Sequence, residues 1–118
     1  MSRFRAVLLA FAVACGDAEP ARPELTFTPE ALPDGRVGQD YTVAITVSAN
    51  ETPVHQMQVE DGSLPPGLAL LHTEIQATGF IDGTPAQPGT YSFAIRASCF
   101  GTMRPGQVGT KAYSIVVR

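Results

Sequence analysis

Three stretches of this chain, "YTVAITVSA", "TYSFAIRAS" and "KAYSIVVR", alternate apolar and polar side chains with a period of two. A segment of that kind carries one apolar face that it cannot bury alone, so it must lay that face against another sheet. The phase gives the inward series Tyr41, Val43, Ile45, Val47 and Ala49, then Tyr91, Phe93, Ile95 and Ala97, then Tyr113, Ile115 and Val117. Weaker candidates are "LTFT" (Leu25, Phe27), "HQMQVE" (Met57, Val59), "LALL" (Leu68, Leu70) and "TGFID" (Phe80, Ile81). About seven short strands at turn-marked intervals predict an all-β sandwich of two antiparallel sheets.

The punctuation between these strands is unusually rigid. In "GSLPPGLALL", Pro66 sets φ for the second position of a type II turn, Gly67 supplies the positive φ needed at the third, and Pro65 is held extended by the proline that follows it. "QPGT" repeats the device with Pro88 and Gly89. "DGTP" offers a further corner at Gly83, followed by Pro85, which cannot join a central ladder. Substitution of Gly67 or Gly89 by a β-branched residue is expected to damage these corners.

At 118 residues the chain has room for one domain. Hydrophobic residues make up 44% and charged residues 16%, a balance that packs rather than one that stays disordered. The eight Lys and Arg are scattered, so the chain lacks the basic footprint of a nucleic-acid binder. The only histidines are His55 and His72, and spacing does not assign either to a nucleophile and an orienting group. His72 and Glu74 would share a face on a strand, but two ligands fall short of a zinc site. Asp34, Asp40, Asp61 and Asp82 form no calcium-loop motif. No cofactor-binding loop is apparent, since the glycines fit turns, and the sequon "NET" at Asn50 reads as a strand-end turn.

The N-terminus carries an address. "MSRFRAVLLAFAVACGD" places Arg3 and Arg5 before an apolar run over residues 6–14 and closes on small residues, the grammar of an export signal. That run is far shorter than the roughly 20 residues of a membrane-spanning helix. "AVAC" resembles the bacterial lipobox, although Ala12 stands where leucine is usual. The resemblance implies cleavage after residue 14, diacylglycerol on the Cys15 thiol, and attachment to a membrane by several acyl chains. The division expected is a lipoprotein signal peptide over residues 1–14, a lipidated cysteine with a flexible tether over 15–24, and the sandwich over 25–118. Loss of Arg3 and Arg5 would leave six basic against eleven acidic side chains. The alternative is a secreted protein in which Cys15 is an ordinary thiol.

"LPDGRVGQDYTVAITVS", "GSLPPGLAL", "GFIDGTPAQPGTYSFAI" and the closing "YSIVV" occur in an order that resembles the "Putative Ig domain" family of bacterial surface proteins, itself similar to the cadherin-like domain of dystroglycan type. The resemblance spans roughly residues 32–117 and implies an Ig-like or cadherin-like β-sandwich that serves as an adhesive or spacer module. Gly89, Thr90 and Tyr91 resemble the tyrosine corner of Ig-like folds, with Gln87 where Asp is common. In cadherin-like relatives an acidic residue often closes the strand matching "FAIRAS" and helps bind calcium between domains; Cys99 stands there, and no calcium is expected. The phase of Cys99 continues the inward series, which reads as a small buried hydrophobe, with a free reactive or dimerising thiol as the alternative.

Three function classes follow. The first is a non-catalytic, lipid-anchored Ig-like module of the bacterial cell envelope, at the outer membrane or cell surface, that offers loops or a sheet edge to a protein partner. The second is a carbohydrate-binding or enzyme-accessory module, which would need exposed aromatics such as Phe100. The third is a small enzyme, for which a thin two-sheet domain leaves little volume.

Overall fold

The structure, a computed structural model, describes residues 22–118, so Cys15 and the signal peptide expected over residues 1–14 lie outside the described residues. Those residues form seven strands and no helix: β1 (Thr26–Thr28), β2 (Tyr41–Ser48), β3 (Val54–Glu60), β4 (Leu68–His72), β5 (Thr78–Gly83), β6 (Gly89–Cys99) and β7 (Val108–Val117). They pair into an antiparallel sheet of order β1-β2-β5-β4 and a second of order β3-β6-β7. This is the A-B-E-D and C-F-G strand order of a constant-type immunoglobulin sandwich.

Alternation places one side of every strand between the sheets. Ile45 of β2, Ile81 of β5, Ile95 of β6 and Ile115 of β7 are all fully buried there. Each contributes about 1.5–3 kcal/mol of transfer free energy. Phe93 and Tyr113, direct partners in the long β6–β7 ladder, widen the core toward the β7 edge.

The sequence pattern missed at three places, each for a local reason. Ala49 is exposed, because β2 ends at Ser48 and Ala49 turns out of the sheet at φ +65°. Of the adjacent pair Phe80 and Ile81 only Ile81 points inward, leaving Phe80 44% exposed; Gly79 also faces in, under the Met57 sulfur. β3 starts before "HQMQVE", at the fully buried Val54, and a bulge between Val54 and Gln56 resets its register.

Beyond β1 the chain crosses to the other sheet, and Gly35 bridges Val117 in parallel. Gly35 N–H donates to Val116 O at 2.8 Å, and Arg118 N–H returns a bond to Gly35 O at 2.9 Å. The chain's three tyrosines secure such crossings. Each hydroxyl donates to a backbone carbonyl: Tyr113 to Pro29 at 2.8 Å, Tyr41 to Pro33 at 2.7 Å, and Tyr91 to Gln87 and Pro88 at 3.2 and 3.3 Å. The Tyr91 arrangement, early in the sixth strand and bonded back across the preceding loop, has the geometry of a tyrosine corner.

Below the β4 start and β5 end, the proline-rich motifs meet. Leu68 N–H donates to Pro65 O at 3.1 Å across Pro66 and Gly67, with Gly67 at φ +99°, the geometry of a type II turn. Thr84 and Ala86 then donate to Gly67 O and Pro66 O at 3.2 and 2.9 Å. The two segments approach so closely that a Cβ on Gly67 would fall 2.0 Å from Thr84 O, and one on Gly83, at φ +143°, 2.0 Å from Gly67 O. Pro65 and Pro85 are wholly buried against this contact. Gly38 N–H donates to Pro85 O at 3.0 Å, which brings in the segment leading to β2. Pro88 and Gly89 lie apart from the clamp, where Gly89 opens β6 at φ +145°.

Gly67→Val should therefore cost about 2–5 kcal/mol in denaturant unfolding, summing a left-handed backbone penalty and a packing clash. His72→Ala should stay within about 0.5 kcal/mol of the parent. Burial, reinforced by Asp34 and Glu30 respectively, pushes the Tyr41 and Tyr113 hydroxyls up to about 12. Because the unfolded tyrosine ionises near 10, the stability they supply is complete below about pH 10 and is lost as pH rises toward 12. An alkaline unfolding series should show that decline, and the Tyr41→Phe, Tyr113→Phe double variant should flatten it.

Candidate interaction surface

The end of the sandwich opposite the clamp is built from loops 49–53, 73–77 and 100–107 together with Arg22 and Pro23. The buried Gln107 organises it. Its Oε1 accepts from Glu51 N–H at 2.7 Å, and its Nε2 donates to Pro23 O at 2.8 Å and Ala49 O at 3.1 Å. One amide thus ties the N-terminal segment and the 49–53 loop to the 100–107 loop. Arg22 adds a second link, through Nε to Glu51 Oε1 at 3.1 Å and Nη1 to Pro105 O at 2.6 Å. Asn50 closes its own turn by donating to Thr52 O at 2.8 Å, and Thr52 Oγ1 donates to Phe100 O at 2.7 Å.

Residues singled out in the sequence divide here. His55 Nδ1 lies 2.9 Å from Glu74 Oε2, and its ring packs on Phe100 with centroids 4.5 Å apart. His72 does not join them, since its Nε2 is bonded to Gln76 O at 2.7 Å. Among the described residues no group of three His, Cys, Asp or Glu side chains is placed to hold a metal. Cys99 is buried at the end of β6, where burial pushes its thiol up and Arg22 opposes that shift. A raised thiol carries little thiolate at neutral pH, which makes a poor nucleophile.

Two exposed side chains at this end have no counterpart in the sequence reading. Met103, at the tip of the β6–β7 loop, is completely exposed. Ile75 is 60% exposed and adopts φ +73°, a conformation that β-branched residues avoid. It is held there by its N–H donating to Val54 O at 2.9 Å and by Gln76 N–H donating to Thr73 O at 3.1 Å. An apolar residue both strained and solvated breaks two local rules at once, the pattern found where function overrides stability. No period or motif signals Ile75, because its conformation comes from a loop closed by tertiary contacts.

The outer face of β1-β2-β5-β4 offers a second surface. Ala44, Phe80 and Leu71 are cross-strand neighbours there, with Phe80 44% and Leu71 51% exposed. Threonines flank the row: Thr46 and Thr78 hydroxyls lie 3.0 Å apart, and Thr42 Oγ1 donates to Asp82 Oδ1 at 2.7 Å. Asp82 is the only charge on the strand positions of this face. An open groove of about 650 Å³ runs between the Glu30 to Asp34 segment and β6–β7. Of its three lining carboxylates, Glu30 and Asp34 form ion pairs with Lys111 at 3.0 Å and Arg118 at 3.1 Å, and the third is Asp61.

Ile75→Asn, which relieves the left-handed strain, should raise stability by about 0.5–1 kcal/mol, whereas Gln107→Leu, which orphans the groups it bonds, should lower it by about 1–3 kcal/mol. Urea unfolding of both variants distinguishes the strained residue from the structural one.

No curated protein matches the sequence. Among solved structures, the SrpA adhesin of Streptococcus sanguinis is similar at a TM-score of 0.64 and 13% identity, covering 86% of this chain and 60% of that one. The sialic acid binding region of the Streptococcus sanguinis SK1 adhesin, bound to 3'sLn, is similar at a TM-score of 0.61 and 12% identity, with 84% and 31% covered. The titin M3 domain is similar at a TM-score of 0.52 and 17% identity, with 80% and 96% covered. The chain therefore spans three fifths or less of the adhesin chains that it matches, and at these identities the likeness is one of fold. The family described as "Putative Ig domain" matches residues 23–118, which takes in all seven strands. The chain belongs to that family.

Proposed function

We propose that this protein is a non-catalytic interaction or adhesion module of the bacterial cell envelope, held at the membrane by lipid on Cys15. The observation that carries the binding role is the row Ala44, Phe80 and Leu71. It presents an aromatic ring and a leucine on a rigid sheet face nearly free of charge, where burial by a protein surface costs little ion desolvation. Charged residues are depleted and aromatics enriched at the centres of protein interfaces, and this face has that composition. The family and the fold shared with fragments of bacterial adhesins support the same reading. The address rests on Arg3 and Arg5, the apolar run over residues 6–14, and "AVAC".

A carbohydrate-binding role would use aromatic platforms. Phe80 has aliphatic neighbours across the strands, and the Phe100 ring is occupied by His55, which favours a protein partner over a sugar.

Two experiments on the native bacterium test this reading. Intact mass of the membrane-fraction protein should give a chain that begins at Cys15 and carries acyl mass, both lost in Cys15→Ala. A photo-crosslinking phenylalanine analogue at Phe80 should yield a discrete adduct with another protein, and the same analogue at the exposed Val37 should not. Absence of acyl mass would remove the anchor, and equal or absent crosslinking at the two positions would remove the sheet face as the binding surface.

A further inference from the structure

The point at which the tether enters the sandwich constrains how an anchored molecule can stand. Arg22 is pinned at the loop end by its bonds to Glu51 and Pro105, and Gln107 grips Pro23 beside it. Only seven residue steps separate Arg22 from Cys15. Even fully extended, they reach about 25 Å. The strand β6, by contrast, has 11 residues and runs about 36 Å from the clamp to the loop end. A lipid on Cys15 can therefore lie directly beneath the loops, whereas the clamp end cannot turn to face the same bilayer.

Within that reach the loop end presents two side chains suited to a lipid surface. Met103 stands completely exposed at the tip of the longest loop at this end, and Ile75 is held outward by a left-handed backbone. Both are flexible or branched aliphatic groups without a polar tip, in the class that enters the boundary between headgroups and acyl chains. The backbone strain at Ile75 fits this account, because it directs an apolar side chain away from the fold at a position where water would favour the reverse. The Asn50 and Gln107 bonds keep the loops beneath it closed.

We infer that in the anchored protein the loop end rests on the bilayer, with Met103 and Ile75 against lipid, so that the strands stand upright and the Phe80 face is turned sideways toward neighbouring envelope proteins. This rests on the Cys15 anchor proposed above. The loops at residues 73–77 and 100–107 then serve as a membrane footing, and the sheet face serves as the recognition surface.

The test uses the full chain, produced in a lipidating bacterial host and reconstituted into phosphatidylethanolamine and phosphatidylglycerol vesicles that contain spin-labelled lipid. An environment-sensitive fluorophore is attached at Thr102→Cys, Val37→Cys or Phe80→Cys, each in a Cys99→Ala background, and acyl mass is measured on the same samples. The expected result is acylated protein quenched several-fold more strongly at Thr102 than at Val37 or Phe80, with Met103→Asp weakening the quenching at Thr102. Acylated protein quenched most at Phe80, or equally at all three sites, would overturn the upright footing and leave the anchor intact. Protein without acyl mass would overturn both.

Discussion

The contact on which this sandwich depends is the close approach of two backbone segments at its closed end. Gly67 and Gly83 sit so near the opposing carbonyls that neither position has room for a Cβ, and both have positive φ. The carbonyls of Pro65, Pro66 and Gly67 accept from Leu68, Ala86 and Thr84, and the Pro85 carbonyl accepts from Gly38. Proline and glycine divide the labour. The prolines limit the conformations available to the unfolded chain, and the glycines permit the approach that the folded chain requires. Three segments of the chain, at Gly38, at residues 65–68 and at residues 83–86, are thereby one structural unit.

With that end closed, the rest of the architecture follows by extension. The clamp sets the start of β4 against the end of β5, and register carries the pairing along to Leu71 and Phe80. The β6–β7 ladder closes the other sheet, and Gly35 ties the first segment to the end of β7. At the opposite end, backbone bonds such as Ile75 N–H to Val54 O and Phe100 N–H to Pro53 O are supplemented by side chains. Gln107 and Arg22 tie these loops to one another and to the N-terminal segment, and it is at this end that an exposed methionine and a strained isoleucine stand. Neither Met103 nor Ile75 buries its side chain in the core, so neither serves the fold.

Much of this was legible before the structure. The alternation of β2, β6 and β7 identifies Ile45, Ile95 and Ile115 as core residues, because period two is a local property of the strand itself. The Pro66 and Gly67 corner is equally local. What sequence reasoning missed depends on partners far along the chain. Ala49 continued the inward phase of β2, but the strand stops one residue earlier to enter a loop. Phe80 and Ile81 were indistinguishable until pairing with β2 and β4 decided which face each took. Gln107 bonds residues 56 to 84 positions away, and its buried amide has no signature in a loop of small and polar residues. The parallel bridge at Gly35 lies in a segment without alternation at all.

Native-state hydrogen exchange tests the primacy of the closed end most directly. The account predicts that the amides of Leu68, Thr84, Ala86 and Gly38, all outside or at the margin of the strands, exchange only through global unfolding, with the same opening free energy as Ile95 at the centre of β6. Exchange of these four amides at loop-like rates while Ile95 stays protected would contradict it, and would place the organising contact in the β6–β7 ladder instead.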